Sequence, residues 1–279
     1  MNPRKLRMIY KNDNKNDRVD AEWLARVARL DAKLLAPIRH RGAEAQADLA
    51  LLRARDELVR SRTQHVNHVR GAVKSLGGRL LKCSTESFLK KSTPVIPEAL
   101  RPALCPVLEM IGTLNAGIRG YDRSIEVMAR DRYPKSRVLQ QVPGVGALTA
   151  VAYMLILEDP HRFKKSRSVG AFLGLRPRKN QSSSQDPQLR ITKAGDALLR
   201  RLLVGSAHYI LGPFGPDCDL RRYGLAIAER GGRNAKKRAV VAVARKLAVL
   251  LHRLWISGEV YEPFRSLRKE TPFAAVSGR

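Results

Sequence analysis

The chain has 279 residues, 44% of them hydrophobic, and carries 53 Lys and Arg against 25 Asp and Glu, a formal net charge of +28. That is ample apolar material for a core, so wholesale disorder is excluded, and the charge points to a polyanionic partner. Cys83, Cys105 and Cys218 form no Cys-x-x-Cys pair, no run of about 18 apolar residues is present, and the N-terminus lacks a signal-peptide core. A disulfide framework, a cysteine zinc site, a membrane span and secretion are therefore excluded as readings, leaving a basic cytoplasmic protein.

Nearly every segment reads as helix. Residues 17–31 place Trp23, Leu24, Val27 and Leu30 at helical spacing, with Asp17 available as the N-cap. After Pro37, a long helix is expected from about Gly42 to Leu76, with Leu52, Val59, Val66 and Val73 recurring every seven residues. A second seven-residue series, Leu104, Ile111, Ile118 and Ile125, follows a linker rich in Gly, Ser and Pro. Two such stripes predict an antiparallel helical hairpin, or a coiled coil with another subunit. Beyond Tyr133 and Pro134 the character changes. A helix of small residues is expected over Ala147 to Glu158 and another over Ser168–Leu173. A polar loop follows at 176–188, then a helix opening near Thr192 or Lys193 and a last one over Ala239–Trp255. No alternating strand pattern appears beyond isolated runs such as Leu6–Tyr10. The fold class is mostly α.

Charge is unevenly spread. Residues 161–203 hold eleven Lys and Arg against two acids, and residues 221–253 hold ten against one. By contrast, residues 94–128 hold three against four. The C-terminal half is thus the electrostatic surface. With only 5% aromatic residues, contacts to the backbone of structured nucleic acid fit better than stacking on single strands.

Three motifs bear on chemistry. Pro143-Gly144-Val145-Gly146 looks like the turn of a helix-hairpin-helix, in which Gly144 and Gly146 allow positive φ and a following helix N-terminus seats a phosphate. A plain connector between two helices is the alternative. The loop Gln181 to Asp186 contains Ser182 between two basic helices, where Arg176, Arg178, Lys179, Arg190 and Lys193 supply cations for a phosphodiester. From composition alone such a loop is usually an ordinary one. Asp17 and Asp20 share a helix face, at a spacing that suits Mg²⁺, although capping and the helix dipole account for the same two acids.

In order along the chain, these pieces resemble one family, the insertion-sequence transposases of the one-hundred-and-ten group, also known as bridge-RNA-guided recombinases. Lys15-Asn16-Asp17-Arg18-Val19-Asp20-Ala21 resembles its Lys-Thr-Asp-x-x-Asp-Ala signature. Pro143 to Gly146, Gly174-Leu175-Arg176-Pro177-Arg178, Gln181-Ser182, Ile191 to Gly195, Leu199-Arg200 and Ala239–Leu247 are similar to its C-terminal domain. The resemblance runs over residues 11–262.

The resemblance implies an N-terminal RuvC-like domain with an Asp-Glu-Asp-Asp Mg²⁺ tetrad, a coiled-coil linker and a C-terminal serine transposase domain. Asp17 and Asp20 correspond to the last two tetrad acids, and Ser182 to the nucleophilic serine. Gly144, Gly146, Arg176, Arg178, Lys179, Arg190, Lys193 and Arg200 are the expected nucleic-acid contacts. Implied partners are DNA, a structured guide RNA and further copies of the chain, with no membrane and a bacterial, nucleoid-associated location. The expected divisions are a RuvC-like remnant over 1–40, a hairpin over 41–132, the transposase domain over 133–265 and a tail over 266–279. The family's earlier strands, which carry its first Asp and its Glu, have no counterpart in residues 1–16, so a truncated copy or a start codon assigned too far downstream is expected. Gly commonly follows the serine in the family; here Ser183 does. The expected function is strand transfer at DNA through Ser182 with Mg²⁺ assistance. The alternative is an incomplete relic that only binds nucleic acid and oligomerises.

Overall fold

The structure is a computed structural model that describes residues 16–31, 34, 41–178 and 189–265. Among these residues it is mostly α, with a single isolated β-bridge. Two units are distinguished, Met1–Gln46 and Ala47–Arg279, and each is described by itself. No helix among the described residues is long and apolar enough to cross a membrane.

In the first unit, helix α1 (Asp17–Leu30) begins one residue away from the expected cap. Asn16 is the N-cap, and its Oδ1 accepts the Arg18 N–H at 2.9 Å. Asp17 and Asp20 instead occupy the first turn, where carboxylates face the positive end of the helix dipole. No side chain of α1 is fully buried.

The second unit is built on a pair of long helices, α2 (Ala43–Ser75) and, after a five-residue helix α3 (Phe88–Ser92), α4 (Arg101–Asp131). The partners run in opposite directions: Arg132 and Tyr133 reach Asp48, Arg55 pairs with Asp122 at 2.7 Å, and Arg62 bonds Asn115 at 2.8 Å. The two helices are therefore antiparallel. Near the turn the seam is apolar, with Val66, Val69 and Val73 packed against Leu104, Leu108 and Ile111 over Phe88. Toward the open end these polar pairs stand among buried Leu49, Leu52, Ile118, Ile125 and Met128.

The remaining helices form a second layer. The short α5 (Ser136–Gln140) leads through a tight turn into α6 (Ala147–Leu157), every residue of which from Thr149 onward is buried. A helix apolar on all sides must lie inside, and α6 packs against α4, α5 and α8. It ends at Glu158, whose φ of 63° breaks the helix. Helices α7 (Arg167–Phe172), α8 (Ala197–Leu211), α9 (Asp219–Glu229) and α10 (Ala235–Ser257) complete the unit, with α5, α7, α8 and α9 packed against α10. α10 is the long member, burying Val240, Val243, Ala244, Leu247, Leu251 and Leu254 at helical spacing. Tyr153 of α6 donates its hydroxyl to the Ala248 carbonyl at 2.6 Å, and buried His252 lies 2.8 Å from the Pro160 carbonyl and 3.0 Å from Ser166 Oγ. A carbonyl only accepts, so the His252 proton sits on Nε2.

Two ends differ from expectation. α10 begins at Ala235, a turn before Ala239. α8 begins at Ala197, not near Thr192 or Lys193, because Lys193 is held at φ 54° and Asp196 is the residue whose carboxylate accepts the Leu199 N–H at 3.0 Å. The Leu6–Tyr10 run lies outside the described residues.

Candidate nucleic-acid interface

Between α7 and α8 the chain passes out and back through a short antiparallel stem. Pro177 bridges Ile191, the Arg178 N–H donates to the Arg190 carbonyl at 3.0 Å, and the Thr192 N–H donates to the Arg176 carbonyl at 2.9 Å. Pro177 thus occupies a non-hydrogen-bonded pair, where its missing N–H removes nothing from the ladder. Side chains alternate across such a ladder, so Arg176, Arg178 and Arg190 share the face opposite Pro177 and Ile191. All three are exposed, as is Lys193 at the base, and among the described residues none of the four has an ion-pair partner.

Two glycines lock the base of this stem. Gly174 has φ 69°, and a Cβ there would stand 2.1 Å from the Ala194 carbonyl oxygen. Gly195 has φ 82°, and its Cβ would stand 2.1 Å from the Phe172 carbonyl oxygen. Only residues without a side chain let these backbones touch. The Lys193 N–H completes the closure by donating to the Gly174 carbonyl at 3.1 Å. Arg200 pins the same place from α8, its Nη1 donating at 3.1 Å to both the Leu173 and Ala194 carbonyls. Burial holds the Arg200 guanidinium below its ordinary pKa. Arg200 therefore braces the stem, whereas the other four cations stand outside it. Ser182 and Lys179 lie outside the described residues.

At the α5–α6 turn the two glycines part company. The Val145 N–H donates to the Val142 carbonyl at 3.0 Å, with Pro143 and Gly144 between them and Gly144 at φ 79°. Pro followed by Gly at those two places is the demand of a type II turn. The close approach at Gly144 is internal, since a Cβ would meet Tyr209 Cδ1 at 2.9 Å and the Ser206 carbonyl at 3.0 Å. Gly146 does not have the expected positive φ. It is extended at φ −90°, caps α6 without a side-chain bond, and has nothing within 4 Å of where a Cβ would be. Its open flank leaves the first turn of α6 approachable.

A second basic surface lies where α9 gives way to α10. Arg230, Arg233, Lys236 and Lys237 are exposed there, no acid occupies the first turn of α10, and Asn234 makes no side-chain cap. Cations at a helix N-terminus oppose the dipole, so this surface is held in an arrangement that only its solvation or an anion relieves.

For a divalent cation, α1 offers Asp17, exposed, and Asp20, whose Oδ1 is shut off from solvent without any hydrogen-bond partner. A buried, unsatisfied carboxylate oxygen is costly on its own and suits a hard cation. The two acids fit as part of a ligand set; among the described residues no group of three His, Cys, Asp or Glu is gathered.

Comparison with known proteins decides the family. Residues 136–216 match the family described as "Transposase IS116/IS110/IS902 family", and residues 1–77 match a DEDD transposase domain. The chain is 34% identical over 259 residues to the transposase for insertion sequence element IS1111A of Coxiella burnetii, a match covering 90% of this chain and 70% of that protein. The chain belongs to the IS116/IS110/IS902 family of insertion-sequence transposases. It is also similar, at 30% identity over 90% of its length and 65% of the relative's, to a putative transposase of Sinorhizobium fredii. A probable family 20 transposase of Pseudomonas aeruginosa is 29% identical, over 91% of this chain and 76% of that one. The C-terminal family match brackets the structured stem of this transposase, from α5 through α8, and the N-terminal one includes Asp17 and Asp20.

Proposed function

We propose that this insertion-sequence transposase holds DNA at the stem between α7 and α8 and cuts it with Ser182. The observation that supports this is the shared, unpaired face of Arg176, Arg178 and Arg190, with Lys193 beside it, on the two arms that flank residues 179–188, where the serine lies in the sequence. Three guanidiniums on a rigid two-stranded base can hold a phosphodiester bidentately without reading its sequence. Gly146 adds backbone N–H donors at the start of α6.

In the reaction, Ser182 Oγ attacks phosphorus, its proton passing to water. An Oγ–P bond forms while the P–O bond to one strand end breaks, leaving that end as a free hydroxyl. The phosphoserine keeps the bond energy, and attack by another strand's hydroxyl restores the serine. Cations at Arg176, Arg178 and Arg190 stabilise the charge gathered on the phosphoryl oxygens. Asp17 and Asp20 would hold Mg²⁺, which when bound supplies further charge neutralisation at a phosphodiester. Sequence selection by a structured guide RNA leaves backbone and shape to the protein, in accord with the scarcity of aromatic residues, and action as a homo-oligomer belongs to the same reading. The second reading, nucleic-acid binding and oligomerisation without catalysis, is favoured by one observation: no third acid joins Asp17 and Asp20 among the described residues.

The test is a covalent adduct assay. Incubated with element-end DNA, guide RNA and Mg²⁺, the chain is expected to yield a protein–DNA band that survives denaturation and is lost in Ser182→Ala. A band that persists in Ser182→Ala removes the serine assignment; no band with the unmodified chain, at undiminished DNA binding, establishes the second reading.

A further inference from the structure

The tip of the α2–α4 hairpin carries a feature that neither the stem nor the metal site accounts for. Residues 58–85 contain six Lys and Arg and no Asp or Glu. The end of α2 explains how they are gathered. Gly77 stands at φ 77° and the Gly78 N–H donates back to the Val73 carbonyl at 3.0 Å, a left-handed cap that stops the helix and turns the chain back on itself. The turned strand brings Arg79 and Lys82 beside Arg70 and Lys74 of the last helical turns, around an open groove of about 720 Å³ floored by Leu80 and Leu81.

The four cations are not spent on each other's neighbours. Lys74, Arg79 and Lys82 are exposed and without an ion-pair partner among the described residues. Arg70 is fixed at the back, its guanidinium 5.3 Å over the Phe88 ring and its Nη2 donating to the Cys83 carbonyl at 3.2 Å, while its Nε is buried with no acceptor. Like charges held together around a concave surface repel unless an anion sits between them. Leu81 is 70% exposed, so the floor is apolar and unshielded.

We infer that this groove is a second DNA contact of the transposase, receiving the sugar–phosphate backbone of a duplex. Charge complementarity selects the occupant: cations on both walls and no carboxylate on either suit phosphates in a row, and the leucines suit the nonpolar faces of deoxyriboses. No aromatic side chain lines the groove, so bases of a single strand have nothing to stack on. The inference rests on the proposed DNA-binding reading for its partner, but on none of the residues of the stem.

The experiment uses the full chain and a triple variant, Lys74→Gln, Arg79→Gln and Lys82→Gln, leaving Arg70 in place because it packs on Phe88. Equilibrium binding to a duplex is measured across a salt series. Three lost phosphate contacts are expected to lower the slope of log affinity against log salt by about 2.7, at roughly 0.9 per contact, with the melting temperature unchanged. An unchanged slope overturns the inference. So does an effect confined to a structured RNA, to pelleting with anionic lipid vesicles, or to the oligomeric state in sedimentation. A parallel variant, Arg176→Gln, Arg178→Gln and Arg190→Gln, separates the two claims. If it weakens duplex binding while the tip variant does not, the groove fails and the stem stands; if only the tip variant weakens it, the stem fails and the groove stands.

Discussion

Arg62 and Asn115 meet across the seam of the α2–α4 hairpin, guanidinium Nη1 donating to the amide oxygen over 2.8 Å with both side chains buried. Arg62 Nε has no acceptor, and desolvation holds the guanidinium below its ordinary pKa. A buried cation satisfied by one neutral amide is poor value for stability and good value for register, since a shifted pairing would leave it with nothing. Arg62→Met is expected to leave the urea midpoint unchanged or raise it, whereas Asn115→Ala, which orphans the charge, is expected to cost about 1–3 kcal/mol. If Arg62→Met proves the more damaging of the two, the pair is a source of stability and this account of it is wrong.

The glycines of the stem and of the α5–α6 turn separate by substitution. Gly174→Ala and Gly195→Ala combine a left-handed backbone with contact against carbonyl oxygens at 2.1 Å, and each is expected to cost at least about 2 kcal/mol. Gly144→Ala meets Tyr209 and Ser206 and should fall with them. Gly146→Ala has open space and an extended backbone, so its cost should stay below about 1 kcal/mol, the loss of a favoured N-cap. Thermal melts of the four variants give the order; a Gly146→Ala as damaging as Gly174→Ala would contradict it.

Asp20 carries a signed prediction. Its Oδ1 is buried without a partner, so in chelator Asp20→Asn is expected to melt no lower than the unmodified chain. Adding Mn²⁺ should raise the melting temperature of the unmodified chain and not that of the variant, because a ligand stabilises only the state that binds it. Equal shifts in both would take Asp20 out of any metal site.

Arg222, in the first turn of α9, grips Asp217 just before the helix, with Nη2 2.7 Å from Oδ2. The hydrogen bond from Arg222 holds the Asp217 carboxyl below its ordinary range. A depressed carboxyl pKa stabilises the fold above the unfolded value, near 3.9, and that contribution is lost as pH falls through the lower folded value. The difference in melting temperature between Asp217→Asn and the unmodified chain is therefore expected to be small and constant at neutral pH and to vanish in acid, once the pH has fallen past the depressed folded value. A difference that grows on acidification would refute the pairing.

The helices were legible because their signals are local. The seven-residue stripes through Leu52 and Leu104 are the ones that pack, and the small-residue helix expected over Ala147 to Glu158 is α6. The polar pairs of the seam were not legible, because a heptad of apolar residues passes over Arg55, Arg62, Asn115 and Asp122, which pair across it. Asn16 lost the cap to Asp17 in the sequence reading since both residue types cap equally well and only backbone geometry distinguishes them. At the candidate site, the glycines at 174 and 195 could be recognised as a pattern, but that they face each other's neighbouring carbonyls is a fact of tertiary contact. Arg200 reads in sequence as one more cation; its position one turn into α8 turns it inward. The groove at the hairpin tip has a trace in the sequence, the stretch of 28 residues from 58 to 85 with no acid.

The clasp around Gly174 and Gly195 has a bearing on how this transposase changes over generations. Departure and return of the chain are fastened within one span of main-chain bonds, from Gly174 to Arg178 on one arm and from Arg190 to Gly195 on the other. A change at either glycine would therefore loosen both arms at once, whereas the sequence between Arg178 and Arg190 contributes none of these bonds.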